Sequence, residues 1–194
     1  MTSSFQDIPS SAGPGFFQTN SQRHAELGSD IAAAGLTGGG PGTPGSAGLD
    51  QYLFETKPTV LRRLASLLCD RVPPSTDRLA ACGTGGVIVA AALSLESGIP
   101  FVLVDGRPEG DFQLAEGLIT GECHPGERAL LVEDVVADGS ASLFAAGLVR
   151  AAGMTTERVL AVIDREEGAE QALRETGLRL DSLFTLAGLV QEPR

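Results

Sequence analysis

One stretch, residues 128–142, most constrains what this chain can fold into. Its apolar run, 129–132, predicts a strand buried on both faces of a parallel sheet. Two acids, Glu133 and Asp134, follow the run, and a loop of small residues then leads into a predicted helix over 141–152. In α/β sheets, ligands bind beyond the carboxyl ends of the strands, and helix N-terminal amides favour anions. We therefore expect a phosphosugar site, where the acids take ribose hydroxyls and the loop amides take phosphate.

The rest of the chain predicts an α/β fold around this stretch. Predicted strands lie at 78–82, 99–104, 128–134, 158–164 and 182–186. Predicted helices lie at 57–71, 87–97, 141–152, 169–175 and 187–190. Their alternation indicates a parallel sheet with right-handed crossovers and helices on both faces. We divide the chain into a disordered tail (1–15), a polar segment (16–34), a Gly/Pro-rich linker (35–50) and an α/β domain (51–194).

Composition excludes some classes of partner. The net charge of −11 disfavours nucleic acid and anionic membrane surfaces. No apolar stretch reaches membrane-spanning length, and the N-terminus lacks the features of a signal peptide. Three scattered cysteines, Cys69, Cys82 and Cys123, favour a reducing cytoplasm and argue against a zinc site. Of the two histidines, His24 is kept as a site candidate because it falls in the polar segment.

Residues 128–142 resemble the phosphoribosyl-diphosphate (PRPP) motif of type I phosphoribosyltransferases, which is a strand, two acids, two apolar residues and a Thr/Ala-Gly-Ser/Thr loop. The matching positions are Glu133, Asp134, Val135, Val136, Gly139 and Ser140. Ala137 and Asp138 depart from the pattern. The carboxylate of Asp138 should repel a 5′-phosphate unless it is protonated, paired or turned away. The alternative is an unrelated buried strand that ends in acids before a helix.

Three further segments resemble orotate phosphoribosyltransferases, and the likeness spans most of 52–190 with an extension over 16–34. Residues 17–24 are similar to the family's Phe-x-Leu-Lys-Ser-Gly-Arg-His. Residues 83–86, Gly-Thr-Gly-Gly, match its diphosphate-binding loop. The alternative is that they form a tight turn that lets the following helix pack on the strand. Arg165, in Asp-Arg-Glu-Glu-Gly, matches its orotate-binding arginine, although an ion pair with Glu166 or Glu167 is another reading.

The resemblance implies a set of site residues, Mg²⁺ bound with PRPP, and a homodimer that shares residues of a mobile hood. The implied catalytic residues are Asp134, Glu133 and Arg107, with Glu133 and Asp134 near the metal through the ribose hydroxyls. The implied substrate-binding residues are Thr84, Gly85, Gly86, Val135, Ala137, Asp138, Gly139, Ser140, Ala141, Ser142, Arg165 and Arg23.

The chain departs most from the family in its cations. Lys57 is its single lysine, so the family's catalytic lysines are absent. Arg107, Arg23 and a bound metal are the candidates for stabilising the departing diphosphate, although arginine is a poor general acid. We expect a divergent phosphoribosyltransferase that transfers ribose 5-phosphate to an acidic or imide-bearing acceptor such as orotate. The alternatives are a non-catalytic nucleotide or phosphosugar sensor or partner subunit, and altered chemistry in a specialised biosynthetic pathway.

Overall fold

The computed structural model describes residues 19–37, 48–49, 52–105 and 119–191. The helices are α1 (Asn20–Gly35), α2 (Tyr52–Glu55), α3 (Pro58–Cys69), α4 (Gly83–Ser97), α5 (Ser140–Ala151), α6 (Ala169–Glu175) and α7 (Leu186–Gln191). The strands are β1 (Leu36–Thr37), β2 (Gly48–Leu49), β3 (Arg78–Cys82), β4 (Phe101–Val104), β5 (Ile119–Thr120), β6 (Ala129–Val136), β7 (Arg158–Asp164) and β8 (Arg179–Thr185). Within these ranges no helix has both the length and the apolarity needed to cross a bilayer.

The main sheet has six strands in the order β5-β4-β3-β6-β7-β8. Neighbours from β4 to β8 run parallel, whereas the short edge strand β5 runs antiparallel to β4. The predicted α/β fold with a largely parallel sheet is therefore confirmed. Strand β5 was not predicted, because two residues at the end of an aperiodic segment carry no alternation.

The strand order reverses direction between β3 and β6. From β3 the chain moves outward to β4, then returns to β6 on the other side of β3 and continues to β7 and β8. In open α/β sheets the crevice at such a switch point, beyond the carboxyl ends of the two strands, is the usual ligand site. The topology therefore predicts a ligand site beyond the carboxyl ends of β3 and β6.

Each face of the sheet has its own apolar core, as predicted for helices on both faces. On one face, Leu130 and Val132 of β6 belong to a cluster with Leu64 of α3 and Val89 of α4. On the other, Leu131 clusters with residues of α5 and α6. Alternate side chains of a strand point to opposite faces, and each fully buried Leu or Val contributes roughly 2 kcal/mol to folding.

Two element boundaries near the switch point differ from those predicted. Strand β6 runs to Val136, beyond its acids, because Val135 and Val136 still pair with β7. Helix α4 begins at Gly83 rather than at residue 87. The glycines that predicted a loop instead form its first turn, because a helix lying this close to a strand has no room for side chains there.

Most of the polar segment predicted over 16–34 is a helix, α1, which was not predicted from the sequence. The Oγ1 atom of Thr19 accepts a hydrogen bond from the Gln22 amide at 3.2 Å, and the Thr19 amide donates to Gln22 Oε1 at 2.9 Å. This reciprocal capping box starts α1, which buries Leu27 and Ile31. Farther along, β1 pairs with β2 inside the predicted linker. The predicted tail, 1–15, and linker residues 38–47 lie outside the described residues.

Candidate functional site

The two acids of β6 point to opposite faces of the sheet. Glu133 lies on the α5 side and Asp134 on the α4 side, as strand alternation requires. Both are buried, with 5% and 7% of their surface exposed. The expectation that the two carboxylates act side by side on one ribose does not match this arrangement.

Glu133 ties β6 to α5. The Ser142 hydroxyl donates a 2.5 Å hydrogen bond to Glu133 Oε1, and Ser142 is fully buried. Burial raises the pKa of Glu133 to about 7, the Ser142 hydrogen bond partly offsets the rise, and the charge of Asp134 adds to it. The enclosed Ser142 hydroxyl therefore holds β6 against α5, and a phosphate contact at Ser142 stays a prediction for its main chain.

Asp134 lies under the first turn of α4. A Cβ added at Gly85 would fall 2.0 Å from Asp134 Oδ2, so the carboxylate fills the space that a side chain would need. At Gly86 the same atom would lie 2.7 Å from the Val132 carbonyl oxygen. The Oδ2 atom is buried with no hydrogen-bond partner among the described residues. An unpaired buried carboxylate oxygen is costly, so this atom is poised to accept a donor.

The N-termini of α4 and α5 both lie at the switch point. Helix α4 begins directly after β3, and α5 begins after the short loop that follows β6. In neither helix does the N-cap residue, Cys82 or Gly139, make a side-chain capping hydrogen bond in the structure described. First-turn amides have no intrahelical acceptor and carry partial positive charge. The crevice therefore has main-chain donors from both helices that suit anionic groups, although the Ser140 amide of α5 already donates to Asp138 Oδ1.

The loop between β6 and α5 contains a carboxylate bound to its own amide. Asp138 Oδ1 accepts hydrogen bonds from the Ser140 amide at 2.9 Å and the Ser140 hydroxyl at 2.7 Å. The side-chain bond and then the backbone bond lower the pKa of Asp138. Ala141 is exposed and Ala137 is partly exposed beside it. Asp138 therefore occupies donors that a phosphate would use.

Arg165 lies beside the end of β6. Its amide donates to the Val136 carbonyl oxygen at 2.9 Å, which continues the β6–β7 pairing past the strand ends. Its exposed guanidinium forms a 2.9 Å ion pair with Glu167, the ion-pair arrangement left open by the sequence. The structure thus brings Arg165, the acids of β6, the loop 137–141 and the first turn of α4 to one edge of the sheet.

Two other predicted residues, Arg23 and His24, contact neighbouring helices and strands in the structure. Arg23 donates to the Ser66 hydroxyl of α3 at 2.6 Å and to Asn20 Oδ1 at 3.2 Å. The His24 ring hydrogen-bonds the Leu183 carbonyl oxygen at 2.7 Å and stacks near Phe184. Both side chains hold α1 against its neighbours. Arg107 lies outside the described residues.

A magnesium ion fits the chemistry of this edge only in part. Carboxylate oxygens are the donors that Mg²⁺ prefers, and Asp134 Oδ2 lacks a partner. However, the residues that the structure describes contain no group of three or more His, Cys, Asp or Glu side chains able to hold a metal. The protein residues described would therefore have to share the ion with oxygen atoms of a ligand.

The sequence did not predict the contacts that two acidic residues, Asp164 and Glu166, make in the turn around Arg165. Asp164 Oδ1 accepts the Glu166 amide at 2.8 Å, and Glu166 Oε2 accepts the Ala187 amide of α7 at 3.3 Å. An Asp two residues before a possible turn is a local signal for the first contact. The second joins residues far apart in sequence and has no local signal.

Known proteins resemble this chain in sequence and in fold. No protein-family model matches the chain. The orotate phosphoribosyltransferase of Halobacterium salinarum is 37% identical over 142 residues, covering 73% of this chain and 79% of that protein. The enzyme of the same name from Natronomonas pharaonis is 35% identical over 144 residues, covering 74% and 81%.

Solved structures share the fold at lower identity. Aeropyrum pernix orotate phosphoribosyltransferase superposes with a TM-score of 0.72 at 24% identity, covering 87% of this chain and 96% of that one. A complex of the Mycobacterium tuberculosis orotate phosphoribosyltransferase with PRPP gives 0.70 at 24% identity, covering 92% and 93%. With the identities above, these results confirm the expected family, fold and enzyme class. The chain belongs to the orotate phosphoribosyltransferase family of type I phosphoribosyltransferases, which are pentosyl-transferring enzymes.

Proposed function

We propose that this protein binds PRPP at the carboxyl ends of β3 and β6 and transfers its ribose 5-phosphate to an acidic or imide-bearing acceptor, releasing diphosphate. One observation carries the proposal. The N-termini of α4 and α5, neither of them capped by the side chain of its N-cap residue, flank Asp134 at the switch point of the sheet, and the Oδ2 atom of Asp134 is buried without a described partner. Two anion-favouring helix ends around one carboxylate suit a sugar that carries phosphate groups on both sides.

Each part of PRPP has a matching group. The 5′-phosphate would take the amides of loop 137–141 and displace the carboxylate of Asp138 from Ser140. The diphosphate would meet the first turn of α4, where Thr84 is exposed. A ribose hydroxyl would supply the donor that Asp134 Oδ2 lacks. Glu133, held by Ser142, would keep β6 and α5 in register behind the sugar.

The leaving diphosphate needs positive charge, and the chain offers little. Its single lysine, Lys57, precedes α3. Bound Mg²⁺ would supply Lewis-acid stabilisation of the diphosphate charge, with Asp134 as the described carboxylate best suited to share it. Arg107 is the candidate cation of the region 105–112. The two helix N-termini add electrostatic stabilisation from the main chain.

Arg165 is the group best suited to recognise the acceptor. A planar guanidinium binds a carboxylate or an imide edge through paired hydrogen bonds. The similar proteins from Halobacterium salinarum and Natronomonas pharaonis are named orotate phosphoribosyltransferases, so orotate is the first acceptor to try. Orotate would have to replace Glu167 as the partner of Arg165. We further propose that the protein works as a homodimer in the cytoplasm, where its cysteines stay reduced.

Turnover of PRPP tests the proposal directly. With Mg²⁺, PRPP and orotate, we expect release of diphosphate and formation of orotidine 5′-phosphate, lost by at least about 100-fold in Asp134→Asn. Glu157→Gln removes one negative charge at an exposed position before β7 and should retain activity. Absence of turnover with orotate and with other acidic acceptors would reject the enzymatic assignment.

A second candidate is a sensor that binds a phosphosugar without turnover. The contact of Asp138 with Ser140 and the scarcity of lysine favour it. A sensor would be stabilised thermally by PRPP yet leave PRPP unchanged after long incubation. Consumption of PRPP in the presence of an acceptor would exclude this candidate.

A further inference from the structure

The turn that carries Arg165 has an unusual backbone. Among the residues that the structure describes, Glu166 is the one non-glycine with a positive φ, at 60°. Residues other than glycine rarely adopt this left-handed backbone conformation, and they keep it only where neighbouring contacts hold them. Contacts around Glu166 must therefore stabilise this conformation.

Contacts on both sides fix the turn. Asp164 Oδ1 accepts the Glu166 amide at 2.8 Å, which closes a small Asx turn over Arg165. The Glu166 carboxylate reaches across to α7 and accepts the Ala187 amide at 3.3 Å. Between these two contacts, the Arg165 amide donates to the Val136 carbonyl oxygen at 2.9 Å. Arg165 is thus held between the end of β6 and the start of α7.

We propose that Glu166 is a positioning residue for acceptor recognition. By bonding α7 in its left-handed conformation, it fixes the main chain of Arg165 beside the crevice, where the guanidinium can exchange Glu167 for a carboxylate of the acceptor. The inference rests on the proposed role of Arg165 in binding the acceptor. It adds a second role to α7, which otherwise packs Leu189 into the core.

Two neutral substitutions distinguish the effect of the length of the Glu166 side chain from the effect of its charge. Glu166→Gln keeps an oxygen at the same distance, so it can still accept the Ala187 amide. Glu166→Asn is also neutral and tolerates the left-handed backbone, but it is one methylene too short. Glu170 lies at an exposed position of α6 beside Arg174, so Glu170→Gln is a control for the removal of one surface charge.

Steady-state kinetics give the first readout. In Glu166→Asn we expect the KM for orotate to rise about tenfold, as for the complete loss of one hydrogen bond, with the KM for PRPP within about twofold. Glu166→Gln and Glu170→Gln should remain near the parent protein. An unchanged KM for orotate in Glu166→Asn, or an equal rise for both substrates, would overturn the inference.

Amide hydrogen exchange gives a second readout that needs no turnover. We expect the amides of Arg165 and Ala187 to exchange faster in Glu166→Asn than in Glu166→Gln, with the rest of the sheet unchanged. If the parent protein turns over no acceptor, the proposed function fails, and exchange alone then decides whether Glu166 holds the turn. Equal exchange of the Arg165 amide in both variants would refute that role.

Discussion

Glu133 and Asp134 are neighbours in sequence but have opposite surroundings. Glu133 has a hydroxyl partner and a pKa raised to about 7 by burial, whereas Asp134 Oδ2 has no described partner. The difference follows from strand alternation, which sends one acid towards α5 and the other towards α4. Glu133 therefore links β6 to α5, whereas Asp134 keeps an unpaired oxygen for the proposed ligand.

The raised pKa of Glu133 predicts a pH-dependent stability. The folded protein keeps this proton up to about pH 7, whereas the unfolded chain releases it near 4.5. Because the folded state binds more protons in that window, Glu133 lowers the free energy of unfolding as the pH rises through it. Glu133→Gln removes this loss, so its stability relative to the parent should rise by up to about 3 kcal/mol from pH 4.5 to pH 7.

Urea unfolding of both proteins at several pH values measures the effect. Gln can still bond the Ser142 hydroxyl, so the variant should fold. Glu157→Gln, at an exposed position before β7, should show no such trend. If the free energy of unfolding changes with pH in the same way for Glu133→Gln and the parent, the raised pKa of Glu133 is contradicted.

Removal of the Asp138 charge is predicted to raise the affinity of the protein for PRPP. Its carboxylate bonds the Ser140 amide and hydroxyl, so a phosphate must compete with it and also meet its charge. Asp138→Asn and Asp138→Thr remove the charge and should tighten PRPP binding about fivefold, as expected for one exposed like-charge contact of roughly 1 kcal/mol. Calorimetry measures the affinity, with Glu157→Gln as a control for net charge. Unchanged affinity would show that Asp138 moves clear without cost.

At the scale of elements, periodicity located most of the fold. Strand β7 and helix α6 begin and end where their apolar patterns predicted, and β3 matches in both bounds. Helix α1 was missed because its start depends on the capping pair Thr19 and Gln22 rather than on a strong apolar stripe. Long-range contacts, such as Gly85 against Asp134, have no local pattern, so the burial of the acids could not be predicted.

The glycines that led to the wrong start for α4 also provide a testable prediction. Glycines usually indicate a loop, yet here Gly85 allows α4 to lie on the carboxylate of Asp134. Gly85→Ala would place a Cβ 2.0 Å from Oδ2, so the helix or the carboxylate must shift. We expect a loss of about 1–3 kcal/mol in the free energy of unfolding and weaker PRPP binding.

Gly147→Ala is a matched control in α5. A Cβ at Gly147 would meet nothing within 4 Å, so this variant should be slightly more stable, by about 0.5–1 kcal/mol. If the clash with Asp134 is the cause, Asp134→Ala should recover part of the stability lost in Gly85→Ala. Independent, additive effects of the two substitutions would show that the contact is not responsible.

At the scale of the whole molecule, α4 is apolar on its outer side as well as its inner side. Ile88, Ala91 and Ala92 are partly buried, and Leu95, on the same side, is 90% exposed. Glu96 is the single charged residue of this helix. A helix that is apolar all round is usually covered. On a chain of net charge −11, an uncharged face is also where two copies would repel each other least.

The proposed homodimer can therefore be tested at Leu95. In a symmetric interface each substitution acts twice, so Leu95→Glu would remove two buried leucines and bring two carboxylates together. We expect the dimer Kd to rise by about 100-fold or more, from roughly 1.5–3 kcal/mol per leucine. Sedimentation velocity over a concentration series measures it, with Val190→Glu, at another exposed apolar position on α7, as the control. A parent protein that is monomeric throughout would refute the homodimer. If Leu95→Glu and the parent dimerise equally, the interface lies elsewhere, and the apolar side of α4 needs another explanation.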